Sequence, residues 1–157
     1  MTGWRIGYLA ASLEIAKACT KIQGQFTSAA SGISQMAAKA AMEANPAEVK
    51  YMVDAFAKRR EIMYDGLSSI PGFICNRPEG AFYLFPKVNA LFGKVAGERK
   101  IDNASDLCMY LLEEAHVATV PGSAFGADEY IRLSYAASDE NLRSAISRIK
   151  QAVQRLL

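Results

Sequence analysis

Apolar residues recur at helical spacing in some stretches of the chain and alternate with polar ones in others, a pattern that predicts a small sheet covered by helices. Val49, Met52, Val53, Phe56, Met63 and Leu67 fall on one helical stripe, with Lys58, Arg59 and Glu61 on the opposite side. Asn45 is placed to cap this long helix, Pro46 to occupy its first position and Glu48 to complete a box-like start. Upstream, Ser12 opens a shorter helix over residues 12–21. The polar stretch at residues 23–27 breaks it, and an alanine-rich helix follows over residues 28–44. Downstream, Asp102 or Asn103 caps a helix whose Leu107, Cys108, Leu111, Leu112 and Ala115 share a face. A closing helix starts at Ser138 and carries Leu142, Ile146, Ile149, Val153 and Leu156 along one stripe.

Between the helices lie short apolar runs bounded by turn residues. Residues 5–10 read as a strand that expects covering on both faces and whose neighbours lie in chain not present. Residues 73–75 and 81–85 read as a hairpin around Asn76-Arg77-Pro78-Glu79-Gly80, and residues 117–120 and 130–135 as two further strands. Residues 88–100 read as an irregular loop. The fold class expected is α/β of the α+β kind, with a small sheet of about four strands, a long helix and a C-terminal helix.

Composition narrows the function. The chain has 157 residues, the size of an ordinary domain, and a net charge of +2, too little to neutralise a run of phosphates. Nucleic acid is not the expected partner. Every apolar run is interrupted short of the roughly 18 residues that cross a bilayer, and Met1-Thr2-Gly3-Trp4-Arg5 lacks the basic start of a secretory signal. No membrane partner and a cytoplasmic location are expected. Cys19, Cys75 and Cys108 form no CxxC pair and read as reduced, mostly buried thiols. One histidine, His116, cannot build a metal centre or a nucleophilic triad and reads as a capping or packing residue; no phosphate-binding glycine loop occurs.

Two arginines remain as candidates. Alternation in Tyr130-Ile131-Arg132-Leu133-Ser134-Tyr135 puts Tyr130, Arg132 and Ser134 on one face, so Arg132 can hold a rigid guanidinium fork toward a carboxylate. On these residues alone a plain sheet-surface arginine is the commoner reading. Arg5, between Trp4 and Ile6, must leave an apolar setting or find an anion such as phosphate; stacking on Trp4 is the alternative.

Four ordered motifs then carry a resemblance. Met1-Thr2-Gly3-Trp4-Arg5-Ile6-Gly7-Tyr8, Gly80-Ala81-Phe82-Tyr83, Val120-Pro121-Gly122-Ser123-Ala124-Phe125-Gly126 and Ile131-Arg132-Leu133-Ser134-Tyr135 resemble the C-terminal part of aspartate-aminotransferase-type, class I, pyridoxal-phosphate enzymes. The resemblance implies that Arg5 pairs with the phosphate of pyridoxal phosphate and that Arg132 grips the α-carboxylate of the substrate. It implies a homodimer, with an amino acid, aspartate by likeness, and a 2-oxo acid as substrates. Gln25-Phe26-Thr27-Ser28 resembles, loosely, a stretch near the neighbouring subunit's cofactor; it names no site.

By the same resemblance, residues 1–44 are a remnant of the large cofactor-binding domain and residues 45–157 the C-terminal small domain. The family's cofactor-anchoring lysine would fall a few residues before Met1, so the chain by itself is expected not to catalyse transamination and to bind pyridoxal phosphate weakly or not at all, and it offers no catalytic residue. Related lyases, decarboxylases and synthases share the scaffold, and an aminotransferase-like sensing module of a transcriptional regulator is a further alternative.

Overall fold

A computed structural model describes residues 1–156, in two compact units divided between Val49 and Lys50. The first unit opens with a 3-10 turn, Thr2–Trp4, which Arg5 closes in the left-handed conformation at φ 51°, its N–H reaching Thr2 O at 3.2 Å. The strand expected at residues 5–10 does not form. Extended backbone becomes a strand only when its N–H and C=O groups find a ladder, and none of the described residues pairs with this segment.

Two helices follow, α1 at Leu13–Phe26 and α2 at Gly32–Glu43. Helix α1 runs straight through the expected break, since one internal glycine, Gly24, weakens a helix by only about 1 kcal/mol. Ser34 Oγ donates to Trp4 O at 3.0 Å, tying α2 to the opening turn. Ser34 is the one buried residue of this unit; Tyr8, Leu13, Phe26, Ile33 and Met36 are all exposed. The unit ends in a 3-10 turn, Pro46–Val49, and it is this turn that Asn45 caps, its Oδ1 accepting from Ala47 N at 3.0 Å.

The second unit holds the whole buried core, from Met63 to Leu156. Helix α3 spans Lys50–Ser68, but only the later part of its apolar stripe is covered. Met63 and Leu67 are buried and Phe56 is half-buried, whereas Met52 and Val53 are exposed. The three-stranded antiparallel sheet comprises β1 (Tyr83–Leu84), β4 (Val120–Pro121) and β5 (Ile131–Ser134), in the order β1-β5-β4. A separate ribbon of β2 (Val95–Ala96) and β3 (Arg99–Lys100) occupies the segment read as irregular.

The expected hairpin between residues 73–75 and 81–85 is replaced by non-local pairing. Ile74 bridges Lys87 through two backbone bonds of 2.9 Å, and Tyr83–Leu84 lies against β5. Pro78 withholds an N–H from the turn, and Ala81, left-handed at φ 59°, redirects the chain before it can pair backward.

Helix α4 (Ala104–Ala115) starts where expected: Asn103 Oδ1 accepts from Ser105 N at 2.8 Å and Asp106 N at 3.1 Å. His116 closes it in the left-handed conformation at φ 52°. Helix α5 (Asp139–Gln154) is capped by Ser138 Oγ, which accepts from Asn141 N at 3.2 Å. Helix α3 packs on β1 and α5, and α4 on β4 and α5. Gly66 lets α3 and α5 close up, since a Cβ there would stand 2.6 Å from Ile146 Cδ1.

The thiols divide three ways: Cys108 is buried, Cys75 half-buried and Cys19 exposed, the last against expectation because α1 buries none of its residues. Burial pushes the Cys75 and Cys108 thiols above their ordinary value.

Candidate functional site

Strand β5 sets the site by its alternation. Ile131 and Leu133 are buried in the core, while Arg132 is half-buried and Ser134 exposed on the other face. Tyr83 pairs with Ser134, which makes it the diagonal neighbour of Arg132 on the same face. On the other edge Val120 pairs with Arg132, and the chain leaves β4 through a 3-10 turn, Gly122–Phe125, that carries Phe125 back toward it. The guanidinium carbon of Arg132 consequently lies 4.4 Å from the Tyr83 ring centroid and 4.4 Å from that of Phe125.

This face is aromatic rather than polar. Phe85 stacks on Tyr130 at 5.1 Å and meets Phe125 edge-on at 6.0 Å, and the Ser134 hydroxyl accepts from Ala136 N at 3.2 Å. Among the described residues Arg132 makes no ion pair or side-chain hydrogen bond. A ring face attracts the cation without occupying its N–H donors, so the fork keeps its capacity for an anion.

Several other arginines of the unit are already engaged, Arg59, Arg60 and Arg77 among them. Arg60 and Arg77 both bond to Glu61 Oε1 at 2.9 Å, and Arg77, then Arg60, hold that carboxyl below its ordinary range. Lys58 and Arg59 of α3 meet Asp139 at 2.6 and 3.3 Å and lower its carboxyl likewise, Lys58 most.

Backbone geometry fixes the two rings. Gly122 N donates to Tyr130 O at 2.7 Å and Ala127 N donates to Gly122 O at 3.0 Å, closing the turn against β5. A Cβ on Gly122 would collide with Ala127 O and stand 2.6 Å from Tyr130 O, so no other residue fits. Gly126 ends the turn in the left-handed region at φ 73°. On the β1 side, Tyr135 donates its hydroxyl to Ala81 O at 3.1 Å and its N–H to Phe82 O at 2.9 Å. Burial pushes the Tyr135 phenol above its ordinary value and keeps it a donor.

Arg5 belongs to the first unit, on the opening turn and exposed. Among the described residues the cation–π contacts involve Arg59 and Arg132, and none of the ion pairs includes Arg5. Tyr83 and Phe125 escape a reading of single residues. Both sit inside the four ordered motifs, and the β1-β5-β4 register is the signal that brings them to Arg132.

Comparison with known proteins decides the family. The aminotransferase class I and II model matches residues 1–149. The chain belongs to the class I and II aminotransferase family. Aspartate aminotransferase of Rhizobium meliloti is 45% identical over 157 residues, covering 99% of this chain and 38% of that protein. The bifunctional aspartate aminotransferase and glutamate/aspartate-prephenate aminotransferase of Petunia hybrida is 48% identical, covering 98% of this chain and 33% of its own length. The crystal structure of the Rhizobium meliloti aspartate aminotransferase matches at a TM-score of 0.84 and 44% identity, over 100% of this chain and 40% of that one. The chain thus spans well under half the length of these relatives. Among the described residues its mixed α/β fold, five α-helices with a small antiparallel sheet, matches the corresponding part of that aminotransferase structure. No helix among the described residues is long and apolar enough to cross a membrane.

Proposed function

We propose that the chain is the C-terminal part of a pyridoxal-phosphate-dependent aminotransferase acting on aspartate-like amino acids and 2-oxo acids, with Arg132 gripping the substrate's α-carboxylate and Arg5 the cofactor's phosphate. The observation that carries the reading is Arg132 itself. It is a half-buried guanidinium on a sheet strand, held between ring faces, with its donors unspent on any described residue. An ammonium would offer a point charge; a fork matches the two oxygens of a carboxylate and orients what it binds.

Pyridoxal phosphate, implied by the family, fits the chain through Arg5, whose exposed guanidinium faces no acidic partner among the described residues. When bound, that cofactor supplies an electron sink for bond breaking at the amino acid's α-carbon. Residues 1–44 fit a part of the larger, cofactor-binding domain, since the first unit buries a single side chain. Residues 45–157 fit the smaller domain, since the buried core from Met63 to Leu156 lies within them. A homodimer in the cytoplasm completes the reading, the reducing location in keeping with three free cysteines.

Titration of the 15N-labelled chain with L-aspartate, followed at the Arg132 Nε–H resonance, tests the assignment. Saturable binding that Arg132→Ala abolishes and Arg132→Lys weakens is expected. Binding indifferent to Arg132 overturns it.

A further inference from the structure

We propose that Tyr83 and Phe125 are positioning residues that hold the Arg132 guanidinium ready for a carboxylate, an inference that rests on the reading of Arg132 given above. A half-buried arginine loses hydration and needs compensation. The common compensation, an aspartate or glutamate, would neutralise the charge and occupy the fork, as Glu61 does for Arg60 and Arg77. Here the compensation comes from two π faces, each 4.4 Å from the guanidinium carbon, which leave charge and donors available. Both rings are themselves fixed. Tyr83 is set by its pairing with Ser134 and by the Tyr135 bond to Ala81 two residues earlier, and Phe125 by the turn between Gly122 and Gly126. The rings arrive from strands on opposite edges of β5, so the arginine is constrained from both neighbours at once.

The test uses Phe125→Leu, Tyr83→Leu and Tyr83→Phe in the full 157-residue chain. Phe125 is 48% exposed, so Phe125→Leu leaves the core intact and serves even where Tyr83→Leu fails to fold. Affinity for L-aspartate is expected to fall about 3- to 30-fold in each leucine variant, while Tyr83→Phe, which keeps a ring face, stays within about twofold of wild type. The order of the Arg132 side chain, read from 15N relaxation at Nε, is expected to fall in the leucine variants and to hold in Tyr83→Phe. Unchanged affinity together with unchanged order at Nε overturns the proposal. A wild-type chain that binds no L-aspartate refutes the carboxylate reading instead, and the relaxation comparison then decides separately whether the rings hold the arginine.

Discussion

The hydroxyl of Tyr135 donates to the carbonyl oxygen of Ala81 at 3.1 Å, joining two motifs 54 residues apart in sequence. Ala81 is left-handed at φ 59°, a conformation that disfavours an alanine by about 1–2 kcal/mol, and the bond from a fully buried phenol helps to keep it there. Tyr135→Phe is expected to destabilise the chain by about 0.5–1.5 kcal/mol in urea unfolding. Ala81→Gly, which removes the Cβ conflict, is expected to be neutral or stabilising by up to about 1 kcal/mol, the reverse of a glycine placed in ordinary strand backbone. A clear loss of stability in Ala81→Gly would show that the position is not strained.

Gly122 has no room for a side chain, because Ala127 O and Tyr130 O occupy the space a Cβ would take. Gly122→Ala must push the turn away from β5, which is expected to lower stability by about 1–3 kcal/mol and to displace Phe125. The midpoint of thermal unfolding and the Arg132 Nε–H resonance report the two effects, and both should move together.

Asp139 is held below its ordinary carboxylate range, first by Lys58 and then by Arg59. Because its folded value is depressed, the stability it lends is complete above the ordinary carboxylate range and disappears as pH falls through the lower folded value. Asp139→Asn is expected to reduce stability at neutral pH and to flatten the acid limb of the stability profile below about pH 4. Urea midpoints of both proteins from neutral to acid pH check the sign, and converging curves at the acid end are expected. Salt should shrink the difference, since Lys58 is exposed.

Asn103 accepts from two backbone N–H groups at the start of α4. Asn103→Ala is expected to destabilise by about 1 kcal/mol, with Asn103→Asp retaining most of the wild-type stability. Chemical denaturation of the three proteins distinguishes a capping effect from general disruption.

What could be read from sequence divides along physical lines. Helix starts carry local signals, and Asn103 and Ser138 cap where their chemistry says they should. The alternation around Arg132 is local too and came out as the strand's burial pattern. Pairing partners are a different matter, because nothing near residues 73–85 announces that Ile74 bridges Lys87 and that Tyr83 opposes Ser134. A hairpin is the cheapest guess by loop closure, and distant pairing on β5 prevailed. The same gap hid the site's rings. Arg132 was legible as a fork on a strand, but Tyr83 and Phe125 reach it only through the β1-β5-β4 order. Helix stripes proved ambiguous as well, for Met52 and Val53 continue the pattern of Met63 and Leu67 without being buried.

The two rings beside Arg132 differ in how freely they can change. Tyr83 is locked into the sheet, whereas Phe125 stands half in solvent on a four-residue turn. Natural variation can therefore exchange the ring on the turn, and with it the stiffness and hydration of the arginine, while the strand scaffold is inherited unaltered. The turn is the dial by which descendants of this chain can retune anion affinity without rebuilding the fold.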